Sequence, residues 1–139
     1  MFYTVKELVN LAENEFSGNI AEVMIATEME TSGRNRKEIL TIMSHNLEIM
    51  KASVVDGLTD TKSISGLTGG DALKMDSYLK SGKTLSDKTI LSAVRNAIAV
   101  NELNAKMGLI CATPTAGSAG CLPAVLSTAI DKLKLSENE

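Results

Sequence analysis

The sequence predicts an all-α fold of about six helices packed in one domain, and three observations support this prediction. The chain has two Phe, two Tyr and no Trp, so its core must be built mainly from aliphatic side chains and Met, which favours packed helices. Apolar residues recur at spacings of three and four, and no stretch shows the sustained alternation that is typical of a strand. A length of 139 residues is that of one domain, predicted over residues 1–139.

The first three helices are predicted from their caps and their apolar spacing. Thr4 and Glu7 form a capping box at the start of the first helix, and Asn19 can cap the second. A third helix is predicted over about residues 35–56. Its apolar stripe consists of Ile39, Met43, Leu47, Met50 and Val54.

The second half of the chain contains a loop and three further predicted helices. The polar loop over residues 57–70 leads to a short helix over about residues 71–79. Ser86 is predicted to cap a long fifth helix that continues to about Leu109. Pro123 fits the first turn of a sixth helix, where its missing N–H costs no hydrogen bond.

The composition excludes some classes of function. A formal net charge of −3 argues against partners held by bulk positive charge, so neither a nucleic acid nor a membrane is expected as a partner. No apolar run approaches the roughly 20 residues of a membrane helix, and a cytoplasmic protein is expected. Cys111, Cys121 and the single His45 are too few ligands for a metal site or cluster, so no metal ligand is predicted in this chain.

Two loops rich in glycine and hydroxyl groups precede predicted helices: GLTGGDA, residues 66–72, and TPTAGSAG, residues 113–120. The start of a helix offers N–H groups without helical partners, and glycine lets a ligand approach the backbone closely. Such a site suits a small anion, for example a carboxylate or a phosphate. The alternative interpretation is that both loops are ordinary turns with capping residues. Neither loop has the pattern of a P-loop or of a dinucleotide-binding loop.

The fifth predicted helix has an apolar face with an amide at its centre. At about 100° per residue, this face collects Ile90, Val94, Ala97, Ile98, Ala105 and Gly108. Asn101 falls at the centre of the face and Asn104 at its edge. A buried amide costs about 1–3 kcal/mol if its hydrogen bonds are not made, so Asn101 should have a partner. That partner is either a neighbouring element of the fold or a ligand in a polar pocket beside the TPTAGSAG loop.

Three motifs together resemble a known family of enzymes. They are SGLTGGDALK (residues 65–74), SGKTLS (residues 81–86) and NELNAKMGLICATPTAGSAGCLPAVL (residues 101–126). Their order and spacing are similar to those in the alpha subunit of the iron–sulfur-dependent L-serine dehydratases. The resemblance covers nearly the whole chain.

The resemblance implies an enzyme that converts L-serine to pyruvate and ammonia with a [4Fe–4S] cluster and without pyridoxal phosphate. In this family a cluster iron acts as a Lewis acid on the serine hydroxyl. No catalytic residue is assigned. The residues implied to bind substrate are Thr68, Gly69, Gly70, Asp71, Lys74, Asn101, Asn104, Thr113, Thr115, Gly117 and Ser118.

The chain resembles only the N-terminal half of that subunit, and the family's cluster cysteines lie in the other half. The cluster ligands are therefore expected outside this chain, and this chain alone is expected to be inactive. The partners implied are L-serine, the remaining half of the alpha subunit, a beta subunit and further copies of the chain, because exposed apolar faces tend to associate. Two alternatives stay open: a stand-alone domain that binds a small carboxylate, and a helical module with a structural role only.

Overall fold

The computed structural model describes residues 2–60, 62–115 and 117–136, and the part of the chain so described contains six α-helices and no strand. The helices are α1 (Val5–Glu15), α2 (Ile20–Ser32), α3 (Arg36–Gly57), α4 (Asp71–Lys80), α5 (Lys88–Ala105) and α6 (Ser118–Leu133). The prediction of an all-α fold is confirmed. No helix within the described ranges is long and apolar enough to cross a membrane.

The chain forms two compact units, Met1–His45 and Asn46–Glu139, and α3 contributes residues to both. Within the first unit α1 and α2 contact each other, and within the second unit α5 contacts both α4 and α6. The single domain predicted over residues 1–139 stays a prediction.

In the first unit, local sequence signals determine where the helices begin. The Glu7 N–H donates to Thr4 Oγ1 (3.2 Å), and the Glu22 N–H donates to Asn19 Oδ1 (3.3 Å). Both predicted caps are confirmed. Arg36, at the start of α3, donates two hydrogen bonds to the Glu22 carboxylate, at 2.5 and 2.8 Å. This bidentate pair joins α2 to the beginning of α3.

In the second unit, α5 is the helix against which the others pack. Its buried residues are Asn96, Ala99, Val100, Glu102 and Leu103. At the end of α3, Gly57 lies directly on the α5 backbone, because a Cβ at this position would be 2.0 Å from the Ala99 carbonyl oxygen. The absence of a side chain at Gly57 therefore permits this close crossing.

The buried face of α5 is the one opposite to the predicted face. Ile90 is 63% exposed and Val94 is 41% exposed, and Asn101 and Asn104 are exposed as well. The buried amide is that of Asn96, which is only 2% exposed. Helical periodicity could not select the face, because α5 has small and apolar side chains on both sides. The polar partners available on the side of Asn96 and Glu102 decide it.

The ends of α5 also differ from the prediction. Asp87, rather than Ser86, is the cap, and its Oδ1 accepts from the N–H groups of Thr89 (2.8 Å) and Ile90 (3.4 Å). The helix ends at Ala105 and does not continue to about residue 109. Shortly after that end, the left-handed φ of +64° at Met107 takes the backbone out of the helical conformation.

The last helix begins five residues before the proline that was expected in its first turn. Pro123 is buried inside α6, and the helix begins at Ser118. Hydrogen bonds between Ser118 and Thr115 start the helix ahead of the proline. The N-cap residue of α6 is Gly117, and the hydrogen bonds between Thr115 and Ser118 form the turn on either side of it, so the helix begins well before the proline.

A polar network joins α4, α5 and α6. Arg95 donates to Asp76 Oδ1 (2.8 Å) and, from two of its nitrogens, to Asn96 Oδ1 (3.1 and 2.8 Å). Asn96 Nδ2 donates to Thr128 Oγ1 (3.2 Å), and Lys80 Nζ lies 2.6 Å from Asp76 Oδ2. The network satisfies the buried amide of Asn96, which would otherwise destabilise the fold.

We expect Gly57→Ala to destabilise the second unit by about 1–3 kcal/mol or more, because the new methyl group would overlap the α5 backbone at Ala99. The matched control is Gly117→Ala, since nothing lies within 4 Å of a Cβ at Gly117 and its φ of −67° suits alanine. The control should change the free energy of unfolding by no more than about 0.5 kcal/mol. Chemical denaturation measures both values, and equal stabilities of the two variants would contradict the close crossing.

We expect the free energy of unfolding to fall in acid partly through Asp76. The hydrogen bond from Lys80, together with that from Arg95, lowers the pKa of the Asp76 carboxyl group, although its burial acts in the opposite direction. A lowered pKa in the folded state means that the carboxylate stabilises the fold at neutral pH. This contribution is lost as the pH falls below about 4 and through the folded pKa.

Asp76→Asn should therefore be less stable than the wild type at pH 7 and should lose less stability between about pH 5 and pH 2. Denaturant unfolding at a series of pH values measures the slope. A variant whose stability falls as steeply as that of the wild type would refute this role of Asp76.

Candidate functional site

The two loops rich in glycine and hydroxyl groups lead to helix N-termini that contact one turn of α5. At the start of α4, the N–H groups of Gly70 and Asp71 donate to Glu102. In the first turn of α6, Gly120 lies against the side chain of Asn101, because a Cβ at Gly120 would be 2.6 Å from Asn101 Oδ1. The Asn101–Glu102 turn of α5 thus brings residues of both predicted loops into one region of the second unit.

A buried carboxylate from α5 completes the N-terminus of α4. Glu102 is 5% exposed, and its Oε1 and Oε2 accept from the Asp71 N–H (2.7 Å) and the Gly70 N–H (3.1 Å). Gly70, the N-cap residue, has a φ of +90° and no side chain that could accept a hydrogen bond. The anion at this helix start is therefore supplied by the protein itself.

Glu102 is not among the site residues predicted from the sequence, although two signals could have indicated it. Glu102 is the single acidic residue within α5. The N-cap position of α4 holds a glycine, so the N-cap side chain cannot accept from the first N–H groups of that helix, and a side chain from another part of the chain can take its place. The start of α4 lacks a side-chain acceptor, and Glu102 is a candidate for it. Asp71 and Glu102 are 31 residues apart in the sequence, so the sequence alone does not show that they pair.

The segment before α4 is fixed by its own hydrogen bonds. The Ser63 N–H donates to the Thr68 carbonyl (2.8 Å), the Thr68 N–H donates to Ser63 Oγ (3.2 Å), and the hydroxyl groups of Ser63 and Ser65 are 3.1 Å apart. Between them the loop exposes Ile64 and Leu67, which are 90% and 87% exposed. Thr68 is therefore held in an ordered turn that presents two apolar side chains to the outside.

The hydroxyl groups of the second loop hydrogen-bond to one another. The Ser118 N–H donates to Thr115 Oγ1 (3.2 Å), and the Thr115 N–H donates to Ser118 Oγ (3.1 Å), which is the reciprocal pattern of a capping box. Thr113 Oγ1 lies 2.6 Å from Ser118 Oγ. These bonds support the capping interpretation of this loop, while substrate binding by the same residues stays a prediction. Ala116, in the middle of the loop, lies outside the described residues.

The remaining predicted site residues of this region are accessible. Asn101 and Asn104 are exposed on α5, and Gly117 is exposed before α6 with open space where a side chain would be. The structure places Asn101 against the first turn of α6. The backbone carbonyl of Asn104 accepts a hydrogen bond from the Met107 N–H (3.0 Å) at the end of α5.

Charged side chains surround the start of α4. Lys74 Nζ lies 2.7 Å from Asp71 Oδ1, and both side chains are exposed. The hydrogen bond to Asp71 raises the pKa of Lys74, and the negative charges of Glu102 and Asp60 act in the same direction. The Lys74 amine is therefore protonated at neutral pH, so it can pair with a carboxylate but is not suited to act as a base.

The described residues do not provide a metal centre. They contain no group of three or more His, Cys, Asp or Glu side chains arranged to hold a metal ion. Cys111 and Cys121 are free thiols, the first partly buried and the second exposed. An iron–sulfur cluster bound through Cys thiolates needs more ligands than these two, so the residues present do not fit one.

Comparison with known proteins identifies the family. A family model described as "Serine dehydratase alpha chain" matches residues 15–139. The chain is 50% identical over 133 residues to the "Probable L-serine dehydratase, alpha chain" of Bacillus subtilis (strain 168), a match that covers 96% of this chain and 44% of the relative. It is 31% identical over 133 residues to the "L-serine dehydratase, alpha chain" of Peptoniphilus asaccharolyticus, covering 95% of this chain and 45% of the relative.

The chain thus spans less than half the length of these two relatives. A third, shorter match is 61% identical over 49 residues to the "Probable L-serine dehydratase, alpha chain" of Latilactobacillus sakei, covering 35% of this chain and 23% of the relative. No solved structure matches the chain. The match of the family model over residues 15–139, together with these relatives, shows that the chain belongs to the serine dehydratase alpha chain family.

Proposed function

We propose that this chain is the part of an L-serine dehydratase that holds the amino-acid substrate, at the Asn101–Glu102 turn of α5. The observation that carries the proposal is the convergence of the two predicted loops on that turn, in a chain of the serine dehydratase alpha chain family. Nine-tenths or more of this chain aligns with relatives named as L-serine dehydratase alpha chains, which supports the same substrate and reaction.

The chemistry of the region suits a small amino acid. L-serine has a carboxylate, an ammonium group and a hydroxyl group, and each needs its own partner. The Lys74 ammonium can donate to the carboxylate, and the Asn101 amide can donate or accept. The Thr113 and Thr115 hydroxyl groups donate their protons within the second loop and can accept from the ammonium or hydroxyl group of the substrate. The open space at Gly117 leaves room for a substrate of few atoms beside the backbone.

Within the proposed reaction, these residues bind and orient the substrate. L-serine loses water between its α- and β-carbons, and the resulting enamine hydrolyses to pyruvate and ammonia. Orientation by several weak contacts can supply a large share of a rate enhancement, because it removes the entropic cost of bringing the reacting groups together. Lys74 is not proposed as the base, since its proton is held by Asp71. The general base that removes the α-proton of serine is therefore a group other than Lys74.

The rest of the proposed enzyme lies outside the described residues. A [4Fe–4S] cluster would supply a Lewis acid for the departing hydroxyl group, and its ligands would come from other residues of the complete enzyme, which works without pyridoxal phosphate. A beta subunit, the part of the alpha chain that this sequence does not span, and further copies of the chain are the proposed protein partners. The exposed Ile64 and Leu67 support contacts of this kind, because exposed apolar side chains favour burial by a partner.

A structural role without substrate binding is the second candidate. The observation that favours it is that the Gly70 and Asp71 N–H groups and the Thr115 and Ser118 hydroxyl groups already have partners within the chain. In that case the glycine-rich loops only begin α4 and α6, and serine would not contact them. The two candidates predict different kinetics. If the loops bind serine, removing an exposed polar group near them lowers kcat/KM for L-serine, whereas a purely structural role predicts no change.

We expect Asn101→Leu and Gly117→Val, each made in the complete active enzyme, to lower kcat/KM for L-serine by about tenfold or more, the scale of one lost hydrogen bond or of a blocked pocket. Both positions are exposed, and a side chain at Gly117 meets open space, so melting temperatures should stay close to that of the wild type. Pyruvate formation and thermal unfolding measure the two quantities.

The matched control is Asn14→Leu, the same substitution at an exposed asparagine of α1 in the first unit. It should leave kcat/KM for L-serine unchanged. Wild-type kinetics in both Asn101→Leu and Gly117→Val would refute the proposed binding site and favour the structural role.

A further inference from the structure

Glu102 belongs to the turn of α5 at which the proposed binding site lies, but its buried carboxylate is given no contact with the substrate there. We propose that Glu102 is a positioning residue, which holds the GLTGGDA loop in the geometry that serine binding requires. This inference rests on the proposed function. It goes beyond that function because it assigns the geometry of one loop to a side chain that does not itself contact the substrate.

The form of the contact between Glu102 and the start of α4 supports this role. The two carboxylate oxygens accept from two successive N–H groups, those of Gly70 (3.1 Å) and Asp71 (2.7 Å). A single acceptor would restrain one peptide group, whereas the two oxygens restrain two successive peptide groups, Gly69–Gly70 and Gly70–Asp71. Hydrogen bonds to a charged acceptor are about twice as strong as neutral ones, and the start of a helix strengthens them further.

The backbone that this contact restrains is conformationally free by itself. Gly69 has a φ of +130° and Gly70 a φ of +90°, and both conformations are accessible mainly to glycine. Two successive glycines have many other conformations of similar energy, so a unique loop geometry needs an external restraint. The hydrogen bonds between Ser63 and Thr68 restrain one end of the loop, and Glu102 restrains the other.

The place of Glu102 in the chain links the two predicted loops. The residue before it, Asn101, lies against Gly120 in the first turn of α6. One turn of α5 therefore sets the start of α4 through Glu102 and touches the start of α6 through Asn101. A rotation of this turn would move two groups of proposed substrate contacts relative to each other, and a misplacement of about 1 Å can cost as much as a hundredfold in rate.

The test compares Glu102→Gln with Thr128→Val in the complete active enzyme. Glutamine has the shape of glutamate, but its side chain offers one acceptor oxygen and a donor nitrogen, so one of the two N–H groups loses its partner. Thr128→Val also keeps the side-chain shape and also removes one hydrogen bond to α5, that from Asn96 (3.2 Å), away from the predicted loops. Both variants should lower the melting temperature.

The kinetic constants separate the two variants. Glu102→Gln should raise KM for L-serine by about tenfold or more. Thr128→Val should leave KM and kcat within about twofold of the wild type, because it does not touch the loop. A Glu102→Gln enzyme with a lowered melting temperature and a wild-type KM would overturn the positioning role.

A second variant keeps the test decisive if Glu102→Gln does not fold. Gly70→Ala strains the same backbone from the other side, because its φ of +90° disfavours a side chain and the new Cβ would lie 3.3 Å from Asp60 Oδ1. It should raise KM in the same way, and a wild-type KM in this variant would also overturn the proposal. If both single variants fold, their effects on KM should be clearly less than additive in the double variant, whereas additive effects would refute a shared mechanism.

Failure of this proposal can be told from failure of the proposed function. If Asn101→Leu and Gly117→Val lower kcat/KM but Glu102→Gln and Gly70→Ala do not change KM, the binding site stands and the positioning role is wrong. If none of the four variants changes the serine kinetics, the proposed binding site is wrong and the positioning role is refuted with it.

Discussion

The hydrogen bonds from the Gly70 and Asp71 N–H groups to the Glu102 carboxylate constrain much of the second unit. A carboxylate buried to 5% exposure can be tolerated only where donors meet it, and the start of α4 provides two such donors. α5 is therefore oriented with this polar residue inside. As a consequence its more apolar side, with Ile90 and Val94, is left exposed.

The other contacts of α5 agree with this orientation. Asn96, buried on the same side, is satisfied by Arg95 and Thr128, so the network that joins three helices forms without an unpaired amide. Gly57 brings the end of α3 against Ala99 on that side. Each of these contacts requires the same rotation of α5, so they stabilise one arrangement of the helices rather than several.

The two glycine-rich loops use the same capping physics in different ways. At the start of α4 the acceptor comes from a distant helix, since Gly70 has no side chain. At the start of α6 the acceptors are local, because Thr115 and Ser118 cap each other. Capping and ligand binding need not exclude each other, since a loop that is held rigid by its caps presents its remaining groups in a fixed geometry. This is the condition under which a small substrate can be oriented with few contacts.

Local interactions were readable in the sequence, and contacts between distant residues were not. The six helices, the caps at Thr4 and Asn19 and the family motifs all depend on residues a few positions apart, and the amino-acid order by itself determined them. The cap of α5 was predicted at Ser86, one residue before the observed cap Asp87. Both side chains can accept a hydrogen bond, and only the backbone conformation distinguishes them. The buried face of α5, the role of Glu102 and the place of Asn101 were decided by the tertiary structure alone. The physical reason is that α5 has apolar residues on both sides, so its orientation depends on which of its polar groups find partners on helices far away in the sequence.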